Sequence, residues 1–194
     1  MKKKVFIVHG WGGTPEEDWL PWLKTQLEEK GFTVFVPQMP DTMRPQIETW
    51  VPHLKKLVGK PNKNTFFVGH SMGCQTILRY LQSLPENSEV GGAILVAGFV
   101  HLTDQILETE DDKEIAKPWL TTPLLWDKIL EHTRHIITIF SDDDPFVPLR
   151  DSTIFMKKLG AEVIIEKGKG HISMNEGIYD LPVVLNALLR MASR

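Results

Sequence analysis

Ser71 stands in Gly69-His70-Ser71-Met72-Gly73, directly after the apolar run Thr65-Phe66-Phe67-Val68 and ahead of a stretch with helical character. A serine hydroxyl is a weak nucleophile at neutral pH, so chemistry at Ser71 requires a base to take its proton and a third group to orient that base. G-x-S-x-G between strand and helix is the spacing of a nucleophile elbow. There a strained turn lifts the hydroxyl above the sheet edge, and the flanking glycines let neighbouring backbone come close. The chemistry this predicts is acyl transfer: the serine attacks an acyl carbon while a histidine takes its proton and later returns it to the leaving group.

The pentapeptide alone is a weak signal, and chain order strengthens it. The partners of such an elbow follow as acid, then histidine. His171 is the histidine, among seven, that lies in a Gly-rich loop past the last apolar run (Gly168-Lys169-Gly170-His171), which makes it the candidate base. The candidate acids are consecutive, Asp142, Asp143 and Asp144, just beyond Ile136-Ile137-Thr138-Ile139-Phe140. The pattern Asp144-Pro145-Phe146-Val147-Pro148 favours Asp144, with Asp143 as the alternative. Its role is to hold the imidazole tautomer and stabilise the imidazolium. The competing reading is a solvated turn whose aspartates cap a following helix.

His9-Gly10-Trp11-Gly12-Gly13 follows the first apolar run, the place from which an elbow fold supplies half of its oxyanion hole. The backbone N–H of Trp11, with that of Met72, is the expected donor pair, each worth ~10²–10³ in rate. A phosphate loop is disfavoured, because neither G-x-G-x-x-G nor Gly-Lys-Ser/Thr is present. His9 and His70 adjoin motif glycines and read as structural. Cys74 reads as a small buried hydrophobe rather than a second nucleophile, since no base is assigned to it. The histidines lack H-E-x-x-H or Cys-paired spacing, so no metal is expected, and this chemistry needs no cofactor.

These groups need strands to end beside one another, and the chain provides the alternation. Short apolar strands at Val5–Val8, Phe32–Val36, Thr65–Val68, Ala93–Ala97, Ile136–Phe140 and Val163–Glu166 are separated by helical stretches. That pattern predicts an α/β fold with about six parallel strands and helices on both faces. Thr14-Pro15-Glu16-Glu17 reads as a capping box opening the first helix, which ends at Gly31. A second helix from near Pro45 carries Ile47, Trp50, Val51, Leu54 and Leu57 or Val58 as its apolar stripe, with a kink expected at Pro52. The elbow helix runs from Met72 to about Leu84, and a closing helix from Leu181 to Met191.

Length and composition bound the function. A chain of 194 residues with 42% hydrophobic content suffices for one core, so a single domain over 1–194 is expected. A net charge of −3 gives no general attraction to nucleic acid or anionic lipid. The single cysteine excludes an intramolecular disulfide, and no apolar run approaches membrane-spanning length. The expected setting is cytoplasmic and the expected partner a small-molecule ester, with no nucleic acid and no membrane.

The segment from His101 to His135 breaks the alternation and sits where this architecture places a cap. At about thirty-five residues it is too small for a lid domain, so the site should be only partly covered. Asp104, Glu108, Glu110, Asp111, Asp112 and Glu114 make its first half unsuited to meeting aggregated lipid. Trp119 and Trp126, seven apart, are the candidate substrate-binding residues, lining the mouth of the site with Trp11. Simple anchoring of the cap is the equal alternative.

Taken together, Val8-His9-Gly10-Trp11-Gly12-Gly13, Met39-Pro40-Asp41, Gly69-His70-Ser71-Met72-Gly73, Asp143-Asp144-Pro145-Phe146-Val147-Pro148 and Gly170-His171 resemble the small serine hydrolases grouped with retinoblastoma-binding protein 9 and the bacterial YdeN-type hydrolases. The resemblance covers nearly the whole chain. It implies a compact α/β-hydrolase with a minimal cap, a Ser-Asp-His triad and esterase-type activity on small or short-chain carboxylic esters. The L-x-C-x-E motif for docking on a retinoblastoma-type pocket is absent, since Met72 lies two positions before the cysteine. Two other classes share the fold: a catalytically silent binding protein, separable by a fluorophosphonate probe, and a cofactor-free lyase or oxygenase, separable by an ester panel.

Overall fold

The computed structural model describes residues 2–193. Six strands, β1 (Lys4–Val8), β2 (Thr33–Phe35), β3 (Thr65–His70), β4 (Gly92–Val96), β5 (Ile136–Ser141) and β6 (Glu162–Glu166), form one sheet in the order β2-β1-β3-β4-β5-β6. Every pairing is parallel. Seven α-helices connect and cover them: α1 (Leu20–Glu29), α2 (Ile47–Val58), α3 (Met72–Gln82), α4 (Glu110–Thr121), α5 (Trp126–Leu130), α6 (Asp151–Leu159) and α7 (Pro182–Ala192).

Alternate residues of each strand face opposite helical layers. Val5 and Ile7 pack with α1 and α7 through Leu23, Leu27, Val184 and Leu188. Phe6 and Val8 pack on the other face with α2, α3 and α6 through Trp50, Leu54, Ile77 and Phe155. The central strands β3, β4 and β5 are buried at every position, which is why they read as continuous apolar runs rather than alternating ones. The candidate nucleophile, acid and base all follow strand C-termini, the edge at which open parallel sheets place their ligands.

Several local expectations change. The helix expected at Thr14 opens only at Leu20, with Pro21 in its first turn. Half of the anticipated capping box does form, as the Thr14 N–H reaches Glu17 Oε2 at 3.0 Å. The chain then turns left-handed at Asp18 (φ 55°) and sends Trp19 into the core, which interrupts helical propagation. α2 continues through Pro52 as one element; the proline lies on the solvent face, where water can satisfy the carbonyl it leaves free. α6 and the two helices of the cap segment were not delimited by the sequence pattern.

In the cap segment, the acidic residues Glu110, Asp111 and Asp112 form the first turn of α4 behind a Thr109–Asp112 capping box, where negative charge complements the helix dipole. The segment is tied down at its start by the fully buried Asp151, whose Oδ2 accepts the Val100 and His101 N–H groups at 2.7 Å each. At its far side Arg79 of α3 donates to the carbonyls of Trp119 and Thr122. The cap is therefore clamped to the body rather than free to swing.

The tightest constraint lies where α3 leaves the sheet. A Cβ on Gly73 would stand 2.1 Å from the Val8 carbonyl oxygen, and one on Gly69 2.8 Å from the Cys74 nitrogen. Neither backbone atom can retreat. Gly73→Ala is expected to destabilise the protein by about 3 kcal/mol or prevent folding. Gly98→Ala, whose new Cβ would meet only ordinary contacts from 3.4 Å outward, should cost less than about 1 kcal/mol. Urea unfolding of the two variants measures the difference.

Candidate active site

Ser71 sits between β3 and α3 with φ 51° and ψ −116°, a conformation that L-residues adopt only under structural compulsion. The compulsion is visible: the Ser71 N–H donates to the Val96 carbonyl at 2.9 Å, and its own carbonyl accepts from the Cys74 N–H at 2.9 Å. The G-x-S-x-G segment thus has the elbow geometry expected of it.

The three consecutive aspartates divide two tasks. Asp144 takes the imidazole, its Oδ2 lying 2.9 Å and its Oδ1 3.1 Å from His171 Nδ1. Its side chain is only 1% exposed, and Oδ1 also accepts the Phe146 and Val147 N–H groups at 2.9 and 3.0 Å. Those donors compensate the burial of the charge and fix the carboxylate against rotation. Asp143 instead accepts from Ser141 Oγ at 2.6 Å and the Gly170 N–H at 2.8 Å, contacts that hold its carboxyl below the usual carboxylate range. Asp142 accepts the Gly168 N–H at 2.9 Å. Asp142 and Asp143 therefore shape the loop that carries His171, and Asp144 orients its ring.

With Nδ1–H donating to Asp144, His171 keeps Nε2 as a lone pair able to accept a proton. Ser71 and His171 line one cavity of about 320 Å³ together with Gly10, Trp11, Phe146 and Met174. Phe146 meets the His171 ring edge-on, with centroids 5.1 Å apart. Larger depressions, two of about 670 Å³ and one of about 360 Å³, lie elsewhere on the surface and include neither residue. Among the described residues no acceptor takes the backbone N–H of Trp11 or of Met72, so both donors of the expected oxyanion pair are free.

His9 and His70 have bonded structural places. The His9 Nδ1–H donates to the Gly10 carbonyl at 2.9 Å while Nε2 accepts the Met39 N–H at 3.1 Å, a fixed neutral tautomer that burial also favours by holding its pKa low. His70 donates from Nε2 to the His171 carbonyl at 2.9 Å.

The expectation that Trp119 and Trp126 line the site does not hold. Trp119 is 1% exposed, its Nε1 donates to the Pro45 carbonyl at 2.9 Å, and its ring meets Trp50 edge-on. Trp126 packs edge-on against Phe155. The two belong to different helices, so their spacing of seven places them on no common face. Both anchor the cap, and from the 101–135 segment Ile106 alone reaches the cavity lining. The sequence reading also missed Asp18 and Trp19, which contact the loop after His171; nothing local marks them, because their partners are about 150 residues away.

Cys74 is fully buried, its Sγ 3.3 Å from the Val96 carbonyl, and burial pushes its pKa far up. A thiolate there is strongly disfavoured. Ellman's reagent should find no reactive thiol in the folded protein and one equivalent after denaturation; rapid labelling of the native state would contradict this environment.

The chain is similar to known proteins over nearly its whole length. The family profile described as Serine hydrolase matches residues 5–190. YdeN of Bacillus subtilis (strain 168) is 30% identical over 200 residues, covering 100% of this chain and 98% of its own. Serine hydrolase RBBP9 of Rattus norvegicus is 29% identical over 192 residues, covering 97% of each. The crystal structure of the B. subtilis ydeN gene product superimposes with a TM-score of 0.91 at 30% identity over 100% of both chains. Est1E of Butyrivibrio proteoclasticus, with ferulic acid bound, shares the fold at 15% identity and a TM-score of 0.75, covering 99% of this chain and 90% of its own. An elbow serine and a carboxylate-paired histidine on one cavity, carried by a six-stranded parallel sheet and matched by this profile along nearly the whole length, make the chain a member of the serine hydrolase family with the α/β-hydrolase fold.

Proposed function

We propose that the protein is a carboxylesterase for small or short-chain acyl esters, acting through an acyl-enzyme on Ser71. The observation that carries this reading is the Asp144–His171 pair at 2.9 Å opening onto the cavity that Ser71 also lines. Ser71 Oγ attacks the ester carbonyl carbon as His171 Nε2 takes its proton; the oxyanion is held by the Trp11 and Met72 N–H groups. Collapse breaks the bond to the alkoxy group, which leaves with the proton from His171. Water then repeats the sequence on the acyl-enzyme, giving the carboxylic acid and free Ser71. Asp144 accepts from His171 Nδ1 throughout and stabilises the imidazolium.

The short-chain preference is supported by the volume of about 320 Å³, at the lower end of small-molecule sites. Ile106, Phe146 and Met174 give it apolar walls, while Glu17, Asp18, Ser173 and Asn175 give it a polar rim unsuited to a long alkyl chain. Among the described residues no helix is long and apolar enough to cross a membrane, and a cytoplasmic setting belongs to the same proposal.

Three outcomes are expected. Ser71→Ala should abolish both turnover of p-nitrophenyl acetate and labelling by a fluorophosphonate; labelling at wild-type rate would remove Ser71 from the mechanism. Asp144→Asn should lower kcat by ~10⁴ through loss of the productive tautomer. Asp143→Asn should cost far less, because an amide oxygen can still accept from Ser141 and Gly170; the reverse ranking would move the acid role to Asp143. Across p-nitrophenyl esters, kcat/KM should peak at acyl chains of about two to six carbons, as the small cavity requires. Preference for ten carbons or more, or a rate jump at the onset of micelles, would overturn the small-substrate reading.

A further inference from the structure

His70 is the member of the elbow motif to which the mechanism assigns no task, yet it is almost completely buried and bonded to the loop of the candidate base. Its ring packs at 5.0 Å from that of His171 and meets Trp19 edge-on at 5.9 Å. Two neighbours bond the same stretch of backbone. Trp19 Nε1 donates to the Ile172 carbonyl at 3.0 Å, and Asp18 Oδ1 accepts the Met174 N–H at 2.8 Å. Three side chains from two distant segments thus grip residues 171, 172 and 174.

The gripped backbone is one that does not hold its shape unaided. Ile172 has φ 57°, and a β-branched residue in the left-handed region is a true outlier. Asp18, on the gripping side, is itself left-handed at φ 55°. Such conformations persist where surrounding contacts over-determine them, and they collect at functional sites. We propose that His70, Trp19 and Asp18 form a positioning clamp that holds the left-handed turn after His171 and so aims its imidazole at Ser71. This rests on the reading of His171 as the general base.

The chemistry of His70 suits the task. Its Nε2 must carry the proton, because its partner is a carbonyl oxygen. Burial first, and the neighbouring His171 second, hold His70 below the ordinary histidine range, against the pull of Asp18. The ring therefore donates while neutral, and places no second positive charge beside the imidazolium that forms on His171 during turnover. Asp18 Oδ2 stands 3.6 Å from His70 Nδ1, beyond a direct hydrogen bond. A glutamine at position 70 can present an amide N–H near the location of Nε2, whereas leucine fills the space without a donor.

The test compares wild type, His70→Leu, His70→Gln and Trp19→Phe, using p-nitrophenyl acetate turnover and backbone amide exchange followed by NMR. A misplaced base costs rate rather than binding, so His70→Leu should lower kcat ~10–100-fold with KM within about threefold. His70→Gln should recover most of that loss. Amides from Ile172 to Glu176 should exchange ~10-fold faster or more in the leucine variant and near the wild-type rate in the glutamine variant. Wild-type kcat in His70→Leu, a loss confined to KM, or a glutamine variant as impaired as leucine would overturn the clamp. If His70→Leu lacks a cooperative thermal transition, Trp19→Phe decides: it keeps a buried ring without the N–H, and wild-type kcat and exchange there would overturn the proposal. Absence of ester turnover and fluorophosphonate labelling in wild type would instead refute the esterase reading. Amide exchange in the same variants then still decides whether the clamp holds the loop.

Discussion

Everything at this site depends on how closely helix α3 approaches the sheet. The backbone at Gly73 passes against the carbonyl of Val8, and that at Gly69 against Cys74, at separations that leave no room for a side chain. Only with both positions empty can β3 turn into a helix within one residue, and that residue, Ser71, is forced left-handed as a result. The strain costs roughly 1–3 kcal/mol at such a residue. Burial of the flanking β3 and α3 side chains, at ~25 cal/mol per Å² of apolar surface, more than offsets it. The same approach leaves the Met72 N–H in the first turn of α3, at the positive end of the helix dipole and without an acceptor among the described residues.

The second half of the site is a loop held from two sides. From the end of β5 and the turn after it come Ser141, Asp142 and Asp143, which receive the Lys169, Gly168 and Gly170 N–H groups. From the opposite side come Asp18, Trp19 and His70, bonded to residues 174, 172 and 171. Each such bond is worth about 1 kcal/mol net. Six of them comfortably exceed the strain of one left-handed isoleucine. Asp144 is thus free to serve His171 because its two neighbours, identical in type, do the holding.

The cap is small and firmly attached. Trp119 and Trp126 lock it onto Trp50 and Phe155, and the buried carboxylate of Asp151 fixes the backbone at its start. An Arg44–Asp111 ion pair joins α4 to the loop before α2, though both partners are about half exposed and its contribution is small. Held in this way, the cap contributes Ile106 to the lining of the Ser71 cavity.

Local patterns along the chain marked the strands and the order in which the candidate nucleophile, acid and base follow one another. Apolar runs of strand length marked all six strands, most plainly β3, β4 and β5, because parallel strands buried on both faces must be apolar throughout. The G-x-S-x-G glycines, the Asp144-x-x-Val147-Pro148 turn and the Gly-rich loop of His171 were legible because each encodes a local backbone conformation. The pattern after Asp144 already favoured it over Asp143, and the docking of the β6 loop gives the reason, setting Asp144 Oδ2 2.9 Å from His171 Nδ1 while Asp142 and Asp143 bond the loop backbone; tertiary packing settled what local pattern does not reach. It also decided that Trp119 and Trp126 face the core, that the first helix waits until Leu20, and that Asp18, Trp19 and His70 converge on the His171 loop. These outcomes depend on contacts between segments 27 to 156 residues apart, and no local pattern encodes a distance across the chain.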